Sequence, residues 1–148
     1  MKIIKKQQYE LTEIEVEIRY AEMGEAVLDI IRRIELQENY VLGTNEGRQT
    51  RIPISGIYYI ESVDKKTFIC TKNEVFRSDL RLYQFCDRLR KYGFVQVSKS
   101  CLVNIDVIDS IRSLFNSRLE ATLINGERIH VSRTYLADIK AAFLEGML

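Results

Sequence analysis

Residues 94–104 read FVQVSKSCLVN. Phe94, Val95 and Val97 open like a strand, and Cys101, Leu102 and Val103 read as a second piece of core. Between them, Ser98-Lys99-Ser100 forms a small cationic step rich in hydroxyls, with no Gly or Pro to build a tight turn. Serine, lysine and the nearby Asn104 amide are good ligands for phosphates and base edges, and equally ordinary at a protein surface. Asn104 itself reads as structural, an amide capping the turn before Val107.

Outward from this stretch, the chain is a series of short strands. Tyr40 to Ile54 holds two of them around the polar turn Thr44-Asn45-Glu46-Gly47, and Pro53, the single proline, belongs at a strand start or a sheet edge. GIYYIES (56–62), TFICT (67–71) and Val75-Phe76-Arg77 follow, separated by turns at 63–66 and 72–74. A helix then carries Leu82, Phe85, Cys86 and Leu89 on one stripe, with Ser78 as its expected N-cap and Gly93 as its stop. Beyond 94–104 come VIDSIR (107–112), RLEATLI (118–124), the hairpin signal Asn125-Gly126 and ERIHV (127–131). A last helix from Ser132 places Leu136, Ile139 and Phe143 on one face.

The first 45 residues differ in character. EIEVEIRY (13–20) alternates charge with Ile14, Val16 and Ile18, the pattern of a half-buried strand. Gly24 to about Glu38 places Val27, Ile30, Ile31 and Ile34 at helical spacing. Residues 1–45 hold six Lys/Arg against nine Asp/Glu, and residues 46–148 hold sixteen against twelve. An acidic accessory segment thus precedes a mildly basic body.

With 148 residues, 46% of them hydrophobic and 29% charged, the chain suits one or two soluble globular domains. It carries no apolar run of membrane-spanning length and no signal-peptide pattern, so a cytoplasmic location is expected. Cys70, Cys86 and Cys101 are odd in number and widely spaced, as expected of buried thiols in a reducing compartment. The phosphate-cradling, nucleophile-elbow and zinc-helix motifs are all missing. His130 is the single histidine, and alternation places it opposite Ile129 and Val131, at an exposed rim. Asp106 and Asp109 read as solvated turn residues. No enzyme, metal site or cofactor is expected.

Three polar turns remain: Asp64-Lys65-Lys66-Thr67, Ser98-Lys99-Ser100 and Ser132-Arg133-Thr134. Each is a loop or element end beside a strand, where binding residues concentrate. Lysine and arginine suit guanine O6 and N7, and hydroxyls suit phosphates.

IYYIESVDKKTFICT, FVQVSKSCLVNIDVIDSI and LEATLINGERIHVSRTYLADIKAAF resemble, in this order, the LytTR DNA-binding domain of bacterial transcriptional regulators. Two blocks carry the resemblance: F-x-x-V-x-K-S-x-x-V-N at 94–104 and N-G-x-x-I-x-V-S-R at 125–133. It implies an α+β fold, mostly antiparallel β, with loops that enter successive major grooves of double-stranded DNA. The domain would span 46–148, with a central and a C-terminal helix, preceded at 1–45 by a small β-α segment for accessory contacts or dimerisation. The implied DNA contacts are Ser98, Lys99, Ser100, Arg133 and Thr134, with Lys65 and Lys66 matched by position in the loop. Many members carry His where Ser98 stands and Asn or Arg where Lys99 stands, a difference that bears on base preference rather than on binding.

Many members also carry a receiver domain, which needs roughly 120 residues. About 45 precede Glu46, so control other than receiver phosphorylation is expected, and short members suggest an inhibitory membrane protein as partner. A homodimer, or action on repeated DNA sites, is the expected working form. The rival reading is a β-rich adaptor that binds a protein partner and no DNA.

Overall fold

The computed structural model describes residues 1–145. Contacts divide the chain into two compact units, Met1–Leu36 and Gln37–Leu148.

In the second unit, β1 (Tyr40–Asn45) and β2 (Arg48–Pro53) form a hairpin. β3 (Ile57–Val63) and β4 (Lys66–Thr71) form another, and β5 (Val75–Ser78) pairs with β4. Helix α1 (Leu82–Leu89) follows, and then β6 (Phe94–Ser98) and β7 (Cys101–Asn104). All these strands pair antiparallel in one seven-stranded sheet, in the order β2-β1-β5-β4-β3-β7-β6. A second sheet of β8 (Ile108–Ser113), β9 (Leu119–Leu123) and β10 (Arg128–Val131) leads into helix α2 (Leu136–Glu145).

Strand alternation sends successive side chains to opposite faces of the large sheet. On one face Ile57, Ile60, Ile69, Phe76 and Leu102 pack with Phe85 and Leu89 of α1. On the other, Val97 and Val103 pack with Leu119, Ala121 and Val131 of the small sheet and Ile139 of α2. Each fully buried side chain of this kind contributes about 1.5–3 kcal/mol. The large sheet is therefore clamped between a helix and a second sheet, and its strand ends are held rigidly.

Helix α1 starts three residues later than Ser78 predicts. Ser78 ends β5, and its Oγ accepts from the Leu80 N–H at 3.1 Å. The Arg81 N–H donates instead to Gln84 Oε1 at 2.9 Å, closing the first turn. Gly93, at φ +83°, turns the chain out of the helical segment into β6, as expected. Pro53 ends β2, the edge strand of the sheet, where its missing N–H breaks no ladder bond.

The first unit corrects one expectation. Residues 13–20 form no strand, and Ile14 is 91% exposed. Alternation prepares a face, but a strand needs a ladder partner, and none pairs with this stretch among the described residues. The helical half of the expected β-α segment does form, over Glu25–Glu38, with an Asp29–Arg33 ion pair at 3.1 Å on its surface.

Asn104, at 3% exposure, is a structural residue as expected. Its Nδ2 donates to the Ile57 carbonyl at 2.9 Å, and its Oδ1 accepts from the Asp106 N–H at 3.0 Å. The side chain ties β7 to the start of β3 and caps the 3₁₀ turn Ile105–Val107. Asn104→Ala leaves buried polar groups without partners, which costs about 1–3 kcal/mol. Chemical denaturation should show that loss as a lower midpoint at constant slope; an unchanged midpoint would mean the site relaxes around the missing amide.

Candidate nucleic-acid interface

The three polar turns meet at one end of the folded unit. Lys99 and Ser100 occupy the turn of the β6–β7 hairpin, and Ser98 is the last residue of β6. The hairpin closes without glycine because its own hydroxyls help to hold it. Ser98 Oγ accepts from the Ser100 N–H at 3.2 Å and lies 3.4 Å from Ser100 Oγ. A register shift between Gln96 and Ser98 interrupts the regular pairing just before the tip. Val97 and Leu102 are buried beneath it, and Lys99 and Ser100 are exposed.

The β3–β4 hairpin turns at Asp64 and Lys65, both at positive φ (+51° and +66°). Two adjacent left-handed residues make the tight turn that matches strand twist, and without glycine each position carries strain. Arg81 helps to hold this shape, since its Nη1 donates to the Lys65 carbonyl at 2.9 Å. Lys65 and Lys66 are exposed, and with Lys99 they form no ion pair among the described residues.

Two backbone hydrogen bonds join these turns to the third. The Ser62 N–H donates to the Ser100 carbonyl at 2.8 Å, which binds the root of the β3–β4 turn to the tip of β6–β7. The Ser132 N–H donates to the Val97 carbonyl at 2.9 Å, which seats the 3₁₀ turn Arg133–Tyr135 beside Ser98. The two hairpin tips are two strand widths apart, about 10 Å. Lys65, Lys66, Lys99, Ser100, Arg133 and Thr134 are all exposed, and Ser98 is half-buried.

Sequence reasoning missed what lies beyond Arg133. Arg133 Nε donates to the Asn116 carbonyl at 3.1 Å, so the guanidinium is oriented by the β8–β9 loop. Arg118, His130, Ser132 and Arg133 line an open cleft of about 330 Å³. His130 is exposed at its rim, as alternation suggests. Arg118 gives no signal in the sequence, because the contact between this loop and Arg133 spans 17 residues.

Residues 47–144 match the LytTr DNA-binding domain family. A solved LytTr DNA-binding domain from Bacillus cereus superposes with a TM-score of 0.66 at 26% identity, covering 70% of this chain and 95% of that one. The chain is 29% identical over 140 residues to the sensory transduction protein LytT of Bacillus anthracis, covering 95% of this chain and 52% of that protein. It is 28% identical over 131 residues to an uncharacterized HTH-type transcriptional regulator of Staphylococcus aureus, covering 87% of this chain and 88% of the relative. The chain thus spans about half, or less, of the length of the sensory transduction proteins it matches.

Two cysteines of this unit are held in the protonated form. Cys101 directly follows the Lys99-Ser100 turn, and burial and then the Glu61 carboxylate push its thiol up to about 12. Cys70 is pushed up to about 11, mainly by burial, and burial also raises the Tyr59 hydroxyl beside it. A raised thiol favours the protonated form in the fold. That stability is fully present below the ordinary value of 9.0 and is lost as pH rises toward 11–12. Iodoacetamide at pH 8 should therefore label Cys70 and Cys101 in the folded protein at least roughly 100-fold more slowly than free cysteine. Labelling of either residue at the free-thiol rate would contradict this; of the three thiols only Cys70 is fully buried, Cys86 and Cys101 being half-buried, where the sequence suggests three buried residues.

Proposed function

The chain belongs to the LytTR DNA-binding domain family, and we propose that it is a transcriptional regulator reading the major groove of duplex DNA through its three joined turns. The observation that carries this reading is the pair of backbone bonds, Ser62 to Ser100 and Ser132 to Val97, which gather unpaired cations and hydroxyls at one end of a clamped sheet. Arg133 is the base reader. With Nε held by the Asn116 carbonyl, its terminal N–H groups are aimed for a bidentate contact to guanine O6 and N7. Lys99, Lys65 and Lys66 neutralise phosphates, and the Ser98, Ser100 and Thr134 hydroxyls add contacts that fix register.

Control without receiver phosphorylation, by a partner such as an inhibitory membrane protein, is part of this reading. The likeness to the Staphylococcus aureus regulator bears on size alone, since it is matched over 88% of its length. We assign residues 1–45 to accessory or dimerisation contacts. Few cations per copy give modest affinity, and two copies on paired sites raise it without new contacts.

Binding to a duplex selected from a random pool, measured across a salt series, tests the reading. Arg133→Ala should weaken specific binding by about 1–3 kcal/mol and relax preference at one base pair. Lys99→Ala should weaken binding to all duplexes and lower the salt slope by about one. No binding to any duplex at low salt would point to a protein partner instead.

A further inference from the structure

The β8–β9 loop, residues 114–118, enters the three-turn reading only through the Asn116 carbonyl that orients Arg133. Leu114 N–H donates to the Arg118 carbonyl at 2.7 Å, closing the loop across its base. Asn116 at its tip adopts φ +64°, a left-handed conformation that asparagine tolerates better than most non-glycine residues. Arg133 Nε donates to the Asn116 carbonyl at 3.1 Å and so ties this tip to the third turn. Phe115, next to Asn116, is 93% exposed.

A lone exposed apolar side chain is ordinary on a protein surface. The surroundings of Phe115 are not. It is one residue from the carbonyl that orients Arg133, and it lines an open hollow with Arg112, Ser113 and Leu114, while Arg118 at the end of the same loop lines a second cleft with His130 and Arg133. A loop that carries an apolar tip and has arginines on either side of it fits a polyanion that also offers apolar points. The major groove offers the thymine methyl group, which phenylalanine can contact. An acidic protein partner would meet the cations but has no such fixed counterpart.

The geometry points to loop 114–118 as a fourth DNA-contacting element, in which Phe115 packs on a thymine methyl group beside the base pair read by Arg133. This rests on the DNA-binding reading of the three turns. Arg118, at the end of the loop, holds an adjacent phosphate, and Arg133 keeps its place at the base edge. The loop sets a base preference by shape and apolar contact, where Arg133 sets one by hydrogen bonds.

Phe115→Ala is tested on two duplexes of the selected sequence, one with thymine and one with uracil at every thymine position of the site. Exposure of the side chain means the variant should unfold at the wild-type temperature. The expected loss is roughly fourfold to tenfold on the thymine duplex and far less on the uracil duplex. The salt slope should match wild type, since no charge is removed. Wild-type affinity of Phe115→Ala for the thymine duplex would overturn the inference, as would equal losses on both duplexes or a changed slope. If Arg133→Ala still weakens binding in that case, the three-turn reading survives and only the fourth contact falls. If the wild-type protein binds neither duplex, the DNA reading falls with it.

Discussion

Two backbone hydrogen bonds decide what this molecule can do. Ser62 N–H to the Ser100 carbonyl joins the β3–β4 and β6–β7 turns, and Ser132 N–H to the Val97 carbonyl joins the second of these to the 3₁₀ turn at Arg133. Each lies at the margin of the buried sheet, close to Ile60, Leu102 and Val97, all at most 2% exposed. The turns are therefore not loose connections but the rigid rim of a packed core. A surface that reads DNA needs its donors and cations at fixed spacing before the duplex arrives, because ordering them on contact lowers affinity.

The rest of the surface follows from that rim. Arg81 Nη1 holds the Lys65 carbonyl and so helps to keep two non-glycine residues left-handed. Arg133 Nε holds Asn116 in the same way on the other flank. Each arginine contributes charge and also bonds to the backbone of a turn that holds left-handed, non-glycine residues. Three lysines, at 65, 66 and 99, are left without an ion pair among the described residues. Glu120, by contrast, is buried and bound to Arg112 at 3.1 Å, which fixes strand β9 rather than adding to the interface.

Much of this was legible in the sequence. Alternation and the Asn125-Gly126 signal place most strands of the second unit within a residue or two, and the stripe Leu82, Phe85, Cys86, Leu89 identifies the central helix. The turns at 64–67, 98–100 and 132–134 are visible because polar residues interrupt apolar runs. What stayed hidden depends on partners far along the chain. Pattern alone cannot separate a seven-stranded sheet from the three-stranded one packed against it, since both read as short alternating runs. Residues 13–20 carry the strand pattern but find no ladder partner among the described residues, so they form no strand. Ser78 has the chemistry of an N-cap, but pairing with Thr67 keeps it in β5 and delays the helix to Leu82. The place of Asn116 beside Arg133 rests on one bond across 17 residues, which no local pattern records.

The central claim is that one contiguous rim, made of three joined turns, meets the duplex. Amide NMR of the isotope-labelled chain, titrated with the selected duplex, tests it most directly. The account predicts shifts concentrated at 64–66, 98–100 and 132–134, saturating together at one stoichiometry, with β2 and the central helix unmoved. Shifts centred on the β2 edge or the central helix, with those turns silent, would contradict it.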